Sequence, residues 1–96
     1  MAQFVRMANE KKKRQIIRDM EGLEALAAHL KVIRKRYGYT QERLAAEAGL
    51  ELSQISRIET ARTNPTVSTM MRIARTLGIP VSHLFEFQLP KYQARS

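Results

Sequence analysis

The chain has 96 residues, enough for one small folded domain and too few for two. Its 17 Lys and Arg residues against 9 Asp and Glu give a formal net charge of +8, a balance that favours polyanionic partners, nucleic acid first among them. The absence of Cys excludes a disulfide framework, a thiolate metal site and a cysteine nucleophile, and no apolar run approaches the roughly 18 residues that a bilayer span needs.

Residues 1–22 read as a helical extension. Asn9 is a candidate N-cap for a helix through EKKKRQIIRDM. Ile16, Ile17 and Met20 form a narrow apolar stripe that continues in register through Leu23, Leu26, Leu30 and Ile33. Gly22 interrupts that stripe. Glycine in a helix interior is about 1 kcal/mol worse than alanine, so a kink or short turn near Gly22 is expected rather than one helix from Glu10 to Tyr37. The basic run Lys11–Arg14 reads as a solvated helix face, with DNA phosphate as its alternative contact. Ile16, Ile17 and Met20 would be unusual fully exposed, so they either cover the domain or meet a partner chain. Phe4 and Val5 precede the basic run, the wrong order for a secretory signal, and a cytoplasmic protein is expected.

The next helix is predicted over 23–37, with Leu26, Leu30 and Ile33 facing the core and Lys31, Lys35 and Arg36 near the negative end of its dipole. Gly38 ends it and Tyr39 tucks back as an apolar plug. His29 falls on the outer face, structural or solvated rather than a metal ligand. Thr40 is a good N-cap for a second helix whose apolar face is Leu44, Ala45 and Ala48. Gly49 can close that helix in the left-handed conformation. Ala45 is small enough for the following helix to cross close above it.

That following helix, 52–60, buries Ile55 and Ile58 and leaves Leu52, Ser53, Ser56 and Arg57 outside. Small polar groups and one Arg on an exposed helix face suit a DNA major groove. Glu51 stands at the N-cap position, where its long side chain folds back poorly; Ser53 is the alternative cap, which would start the helix two residues late. Gln54 is expected to reach the backbone rather than bases. The loop 61–66, ARTNPT, carries a turn at Asn64–Pro65. A helix from Val67 to Leu77 follows, capped by Thr66 and stopped by Gly78, with Val67, Met70, Met71, Ile73, Ala74 and Leu77 as its apolar positions. The segment SHLFE predicts a last short helix. Phe85, Phe87 and Leu89 then alternate, which predicts an extended piece, and residues 91–96 are expected to be loose.

The stretch TQERLAAEAGLELSQISRIET, Thr40–Thr60, resembles the helix-turn-helix of the phage repressor and Cro family, the Xre type. Gln41 opens the first helix, Ala45 sits at the crossing, Gly49 is in the turn, and Ile55 and Ile58 are the core of the recognition helix. The likeness extends from about Leu26 to Phe85. It implies an all-α fold: a compact five-helix DNA-binding domain over 23–86, preceded by the extension 1–22 and followed by a tail, 87–96. Double-stranded DNA is the implied partner and a homodimer the implied assembly, and small stand-alone members include restriction-modification controller proteins.

The resemblance also assigns roles. Base contacts are expected from Glu51, Leu52, Ser53, Ser56 and Arg57, with Arg57 as guanine reader and Leu52 against a thymine methyl. Phosphate contacts are expected from Thr40, Gln41 and Arg43, where the start of a helix offers free N–H groups, and from Arg62, Thr63 and Asn64. An ion pair between Arg34 and Glu59 is implied, and Leu84, Phe85 and Phe87 are candidate dimer contacts.

No enzyme chemistry is expected: Asp19 is the only Asp, His29 and His83 stand far apart, and no glycine-rich phosphate loop occurs. No cofactor or metal is called for. The reading is a sequence-specific DNA-binding transcriptional regulator acting as a homodimer on a near-palindromic site. The alternative is an antitoxin that holds a protein toxin through residues 1–22 and regulates its own operon.

Overall fold

The computed structural model describes residues 17–95. These form four α-helices and a closing 3₁₀ helix: α1 (Met20–Arg36), α2 (Gln41–Ala48), α3 (Leu52–Glu59), α4 (Val67–Leu77) and the 3₁₀ segment Val81–Phe85. No strand occurs among the described residues, and the fold is all-α as expected, with a 3₁₀ turn in place of a fifth α-helix. The expected helix over EKKKRQIIRDM, with Asn9 as its cap, lies almost wholly outside the described residues.

Gly22 does not break a helix. The Asp19 side chain caps α1 by accepting from the Gly22 N–H at 2.9 Å. A Cβ at Gly22 would stand 3.0 Å from that carboxyl, so glycine permits the close cap, and the helix starts three residues ahead of the expected Leu23. Leu26, Leu30 and Ile33 then recur at helical spacing and are buried.

All four helices end the same way. An N–H two or three residues past the end of the helix reaches back to a carbonyl five residues earlier: Tyr39 to Arg34, Leu50 to Ala45, Arg62 to Arg57 and Ile79 to Ala74, at 2.8–3.0 Å. Such a closure needs one residue with positive φ. Glycine fills that place at Gly49 (φ 69°), whereas α3 is closed by Ala61 (φ 57°), which holds a conformation that a Cβ disfavours.

The core is a single cluster in which every helix takes part, with Leu30, Leu44, Ile55, Met70, Ile73 and Leu84 fully enclosed. Ala45 is buried where α2 and α3 pack. Leu84 is 0 % exposed, which corrects its reading as a dimer contact: a side chain wholly inside its own domain presents nothing to a partner. The 3₁₀ helix turns Leu84 inward against α1 and α4 and leaves Phe85 half outside. Of the six apolar positions of α4, Met70, Ile73, Ala74 and Leu77 are buried, whereas Val67 and Met71 are exposed.

His29 is not on a solvated face. Its Nε2 lies 2.7 Å from the His83 carbonyl oxygen and its ring packs on Phe87. It therefore ties α1 to the closing segment. In the tail, Lys91 Nζ forms an exposed ion pair with Glu21 Oε1 at 2.9 Å, a contact worth little. Among the described residues no helix is long and apolar enough to cross a membrane.

Candidate nucleic-acid interface

The face of α3 turned away from the core carries Leu52, Ser53 and Arg57, all exposed, with Ser56 half-buried beside them. Ile55, Ile58 and Glu59 take up the inward face. α3 begins at Leu52, with Glu51 in the N-cap position, so Ser53 is not the cap. The weak cap is reinforced from inside the helix: Gln54 Oε1 accepts from the Glu51 N–H at 2.9 Å. That contact satisfies a backbone donor at the helix start and turns the Gln54 amide to its own backbone. The Glu51 side chain is left exposed at the leading edge of the helix.

Two recesses flank α3. One is lined by Thr40, Gln41, Glu42 and Leu52, so the start of α2 and the start of α3 share one surface. The other is lined by Gln54, Arg57, Thr63, Asn64 and Thr66, which brings the 63–66 turn against the opposite flank. The structure thus gathers the candidate base readers on the ridge and most candidate phosphate residues beside it. Arg62 is exposed at the end of α3.

The α2 flank is more committed than residue types alone suggest. Thr40 Oγ1 caps α2 by accepting from the Arg43 N–H at 3.0 Å. The Gln41 amide donates to Glu59 Oε1 at 2.9 Å. Arg43 Nε donates to Glu47 Oε2 at 2.7 Å, and its guanidinium lies 4.2 Å over the Tyr39 ring. The Glu47 hydrogen bond raises the Arg43 pKa, and the same contact holds the Glu47 carboxyl below its ordinary value. Gln41 and Arg43 therefore already have intramolecular partners in place.

Beneath the ridge Arg34 grips Glu59 with two parallel bonds, Nε to Oε2 at 2.6 Å and Nη2 to Oε1 at 2.9 Å. Arg34 Nη1 donates to the Tyr39 carbonyl at 2.8 Å. The hydrogen bond to Glu59 raises the Arg34 pKa against the opposing effect of burial, so the guanidinium stays charged. Both residues are buried, and α1, α2 and α3 meet at one carboxylate.

One tie escaped the sequence reading. Arg72 on α4 reaches back to the carbonyl of Gly49 at 3.3 Å and that of Ala48 at 3.5 Å, holding the turn between α2 and α3. An Arg on a helix surface carries no pattern that would point to a turn in another part of the chain. No group of three or more His, Cys, Asp or Glu that could hold a metal occurs among the described residues.

An eight-residue helix with one buried and one open face, set across a left-handed glycine turn from a second helix, defines a helix-turn-helix protein. Residues 30–84 match the helix-turn-helix family HTH_3, and the chain belongs to that family. Over 65 residues it is 34% identical to the HTH-type transcriptional regulator SlrR of Bacillus subtilis (strain 168), covering 67% of this chain and 43% of that protein. Over 53 residues it is 45% identical to the immunity repressor protein of Bacillus phage phi105, covering 55% of this chain and 37% of the repressor. The chain thus spans less than half the length of either relative. The crystal structure of the restriction-modification controller protein C.AhdI from Aeromonas hydrophila is similar with a TM-score of 0.64 at 28% identity, covering 66% of this chain and 96% of that one. The family read from Thr40–Thr60 is the family found here.

Proposed function

We propose that this protein is a sequence-specific DNA-binding transcription regulator that acts as a homodimer. α3 enters the major groove. Arg57 reads guanine, Leu52 meets a thymine methyl, Glu51 accepts from a cytosine amine, and Ser53 and Ser56 add short polar contacts. The N-terminus of α2 with Thr40, Gln41 and Arg43, and the turn with Arg62, Thr63 and Asn64, grip phosphates on either side and fix the register. A second copy meets the side of the domain that carries Phe85 and Phe87, which places two α3 helices about 34 Å apart on a near-palindromic site.

The observation that supports this reading best is the fixed, outward face of α3. Its inner face is locked by Ile55, Ile58 and the Arg34–Glu59–Gln41 network, while Leu52, Ser53 and Arg57 stand free between two flanks of phosphate-binding character. Relatives named as transcriptional regulators and an immunity repressor point the same way. The test is the salt dependence of binding to DNA. A dimer that neutralises about 6–10 phosphates gives a slope of log K against log salt of about −5 to −9. A slope near zero would remove DNA as the partner.

A further inference from the structure

Glu47 lies one turn after Arg43 on α2, the helix whose start is proposed to grip phosphate. A carboxylate there repels DNA. Local physics does not favour the pair either. Arg43 sits in the first turn of α2 and Glu47 in the last, each at the end of the helix dipole that disfavours its charge. The order Arg then Glu is also the weaker one for such a pair, and both side chains are about half exposed, where ion pairs add little stability.

Both oxygens of Glu47 are nevertheless engaged. Oε2 accepts from Arg43 Nε at 2.7 Å, and Oε1 accepts from the Tyr39 hydroxyl at 3.1 Å. The Arg43 guanidinium lies 4.2 Å over the Tyr39 ring. Tyr39 is anchored in turn, with its hydroxyl shared with the Thr76 carbonyl on α4 at 3.3 Å and its body packed against the core. Three side chains thus close into one cluster around a single guanidinium.

We propose that Glu47 is a positioning residue that prepares Arg43 for a DNA phosphate. The stack on Tyr39 fixes the plane of the guanidinium, and the Nε bond fixes its rotation within that plane. Among the described residues the two Nη groups have no hydrogen-bond partner, so the fork that matches two phosphate oxygens stays open. A carboxylate that competed with phosphate would occupy that fork, whereas Glu47 takes the remaining edge. Holding Arg43 in advance spares the rotamer freedom that a loose Arg loses on binding, an effect of about 2- to 12-fold in affinity. This role rests on the DNA-binding reading above and adds to it a residue that makes no contact with DNA.

The test uses the full chain and a fluorescent duplex of mixed sequence, since phosphate contacts carry no sequence information. Glu47→Ala removes both acceptors and suits a helix. Glu47→Gln removes the charge but keeps an oxygen that can accept from Arg43 Nε. At about 0.15 M salt, where exposed charges are screened, Glu47→Ala should weaken binding by about 2- to 12-fold per protomer, and Glu47→Gln should restore it. Arg43→Ala should make the salt slope shallower by about 1 per protomer, and in that background Glu47→Ala should no longer weaken binding. Thermal melting should barely move in either Glu47 variant, because the pair is exposed. Equal tightening by Ala and Gln would overturn the proposal and leave Glu47 as a repelling charge. Equal weakening by both, or weakening that persists without Arg43, would overturn it too. These outcomes leave the DNA-binding reading intact. A parent chain with no salt-dependent binding to the duplex would remove that reading and the role of Glu47 together.

Discussion

Replacing Glu59 with Ala removes the acceptor on which three helices converge. The carboxylate takes two bonds from Arg34 and one from the Gln41 amide, and its side chain is 0 % exposed. The lost bonds alone overstate the effect, because two charges desolvated together offset much of their own attraction. What decides the magnitude is the cation left behind. Arg34 keeps one bond, to the Tyr39 carbonyl, and loses its counter-charge inside the domain. Breaking one side of such a pair costs about 3–5 kcal/mol, a large share of the roughly 5–15 kcal/mol that holds a domain folded. In urea, with a slope of about 1 kcal/mol/M for a domain this small, the midpoint should fall by about 3–5 M. The double variant Arg34→Met, Glu59→Leu should recover most of that loss, since apolar groups of similar size replace a buried pair at little or no net cost. It should nevertheless bind DNA with weaker sequence preference, because the angle of α3 is no longer set by a directional bidentate bond. A loss below about 1 kcal/mol for Glu59→Ala, the range of an exposed pair, would refute the argument.

Three further outcomes follow from the geometry. Ala61→Gly should hold or raise stability, by up to about 1 kcal/mol, since it relieves the positive φ that closes α3; a clear fall in the melting temperature would show that the buried methyl outweighs the strain. Arg57→Ala should relax base preference at one position per half-site by about 1–3 kcal/mol, whereas uniform weakening on all sequences would place Arg57 on phosphate. Arg43→Ala should raise the Glu47 titration midpoint, read by NMR, because the Arg43 bond is the main cause of its depression. A depressed carboxylate favours the fold above its unfolded pKa and loses that contribution as pH falls through the folded value. The pair is exposed, so stability should respond little.

The helix-turn-helix was legible because several independent rules agreed on it. Leu44, Ala45 and Ala48 share a face, Gly49 suits a left-handed turn, and Ile55 and Ile58 repeat at helical spacing, so pattern, turn chemistry and side-chain size coincide. The Arg34–Glu59 contact spans 25 residues, and no local spacing joins residues that far apart; only family likeness suggested it. The closing segment failed for a different reason. Over five residues a 3₁₀ helix shows no period, so nothing in SHLFE tells Leu84, which is enclosed, from Phe85, which is half outside. The break expected near Gly22 falls at residues 17–19, because Asp19 caps α1 and Gly22 lies in its first turn; Val67 is apolar by type, yet it is exposed at the start of α4.

On the proposed function, α3 reads DNA sequence from a symmetric pair of protomers. Selection of bound duplexes from a random pool at about 0.15 M salt, near physiological ionic strength, tests it most directly. The expected result is an inverted repeat whose half-site centres lie about one helical turn apart. Retention of DNA with no enriched sequence would contradict it, leaving a basic surface that binds the phosphate backbone and nothing more.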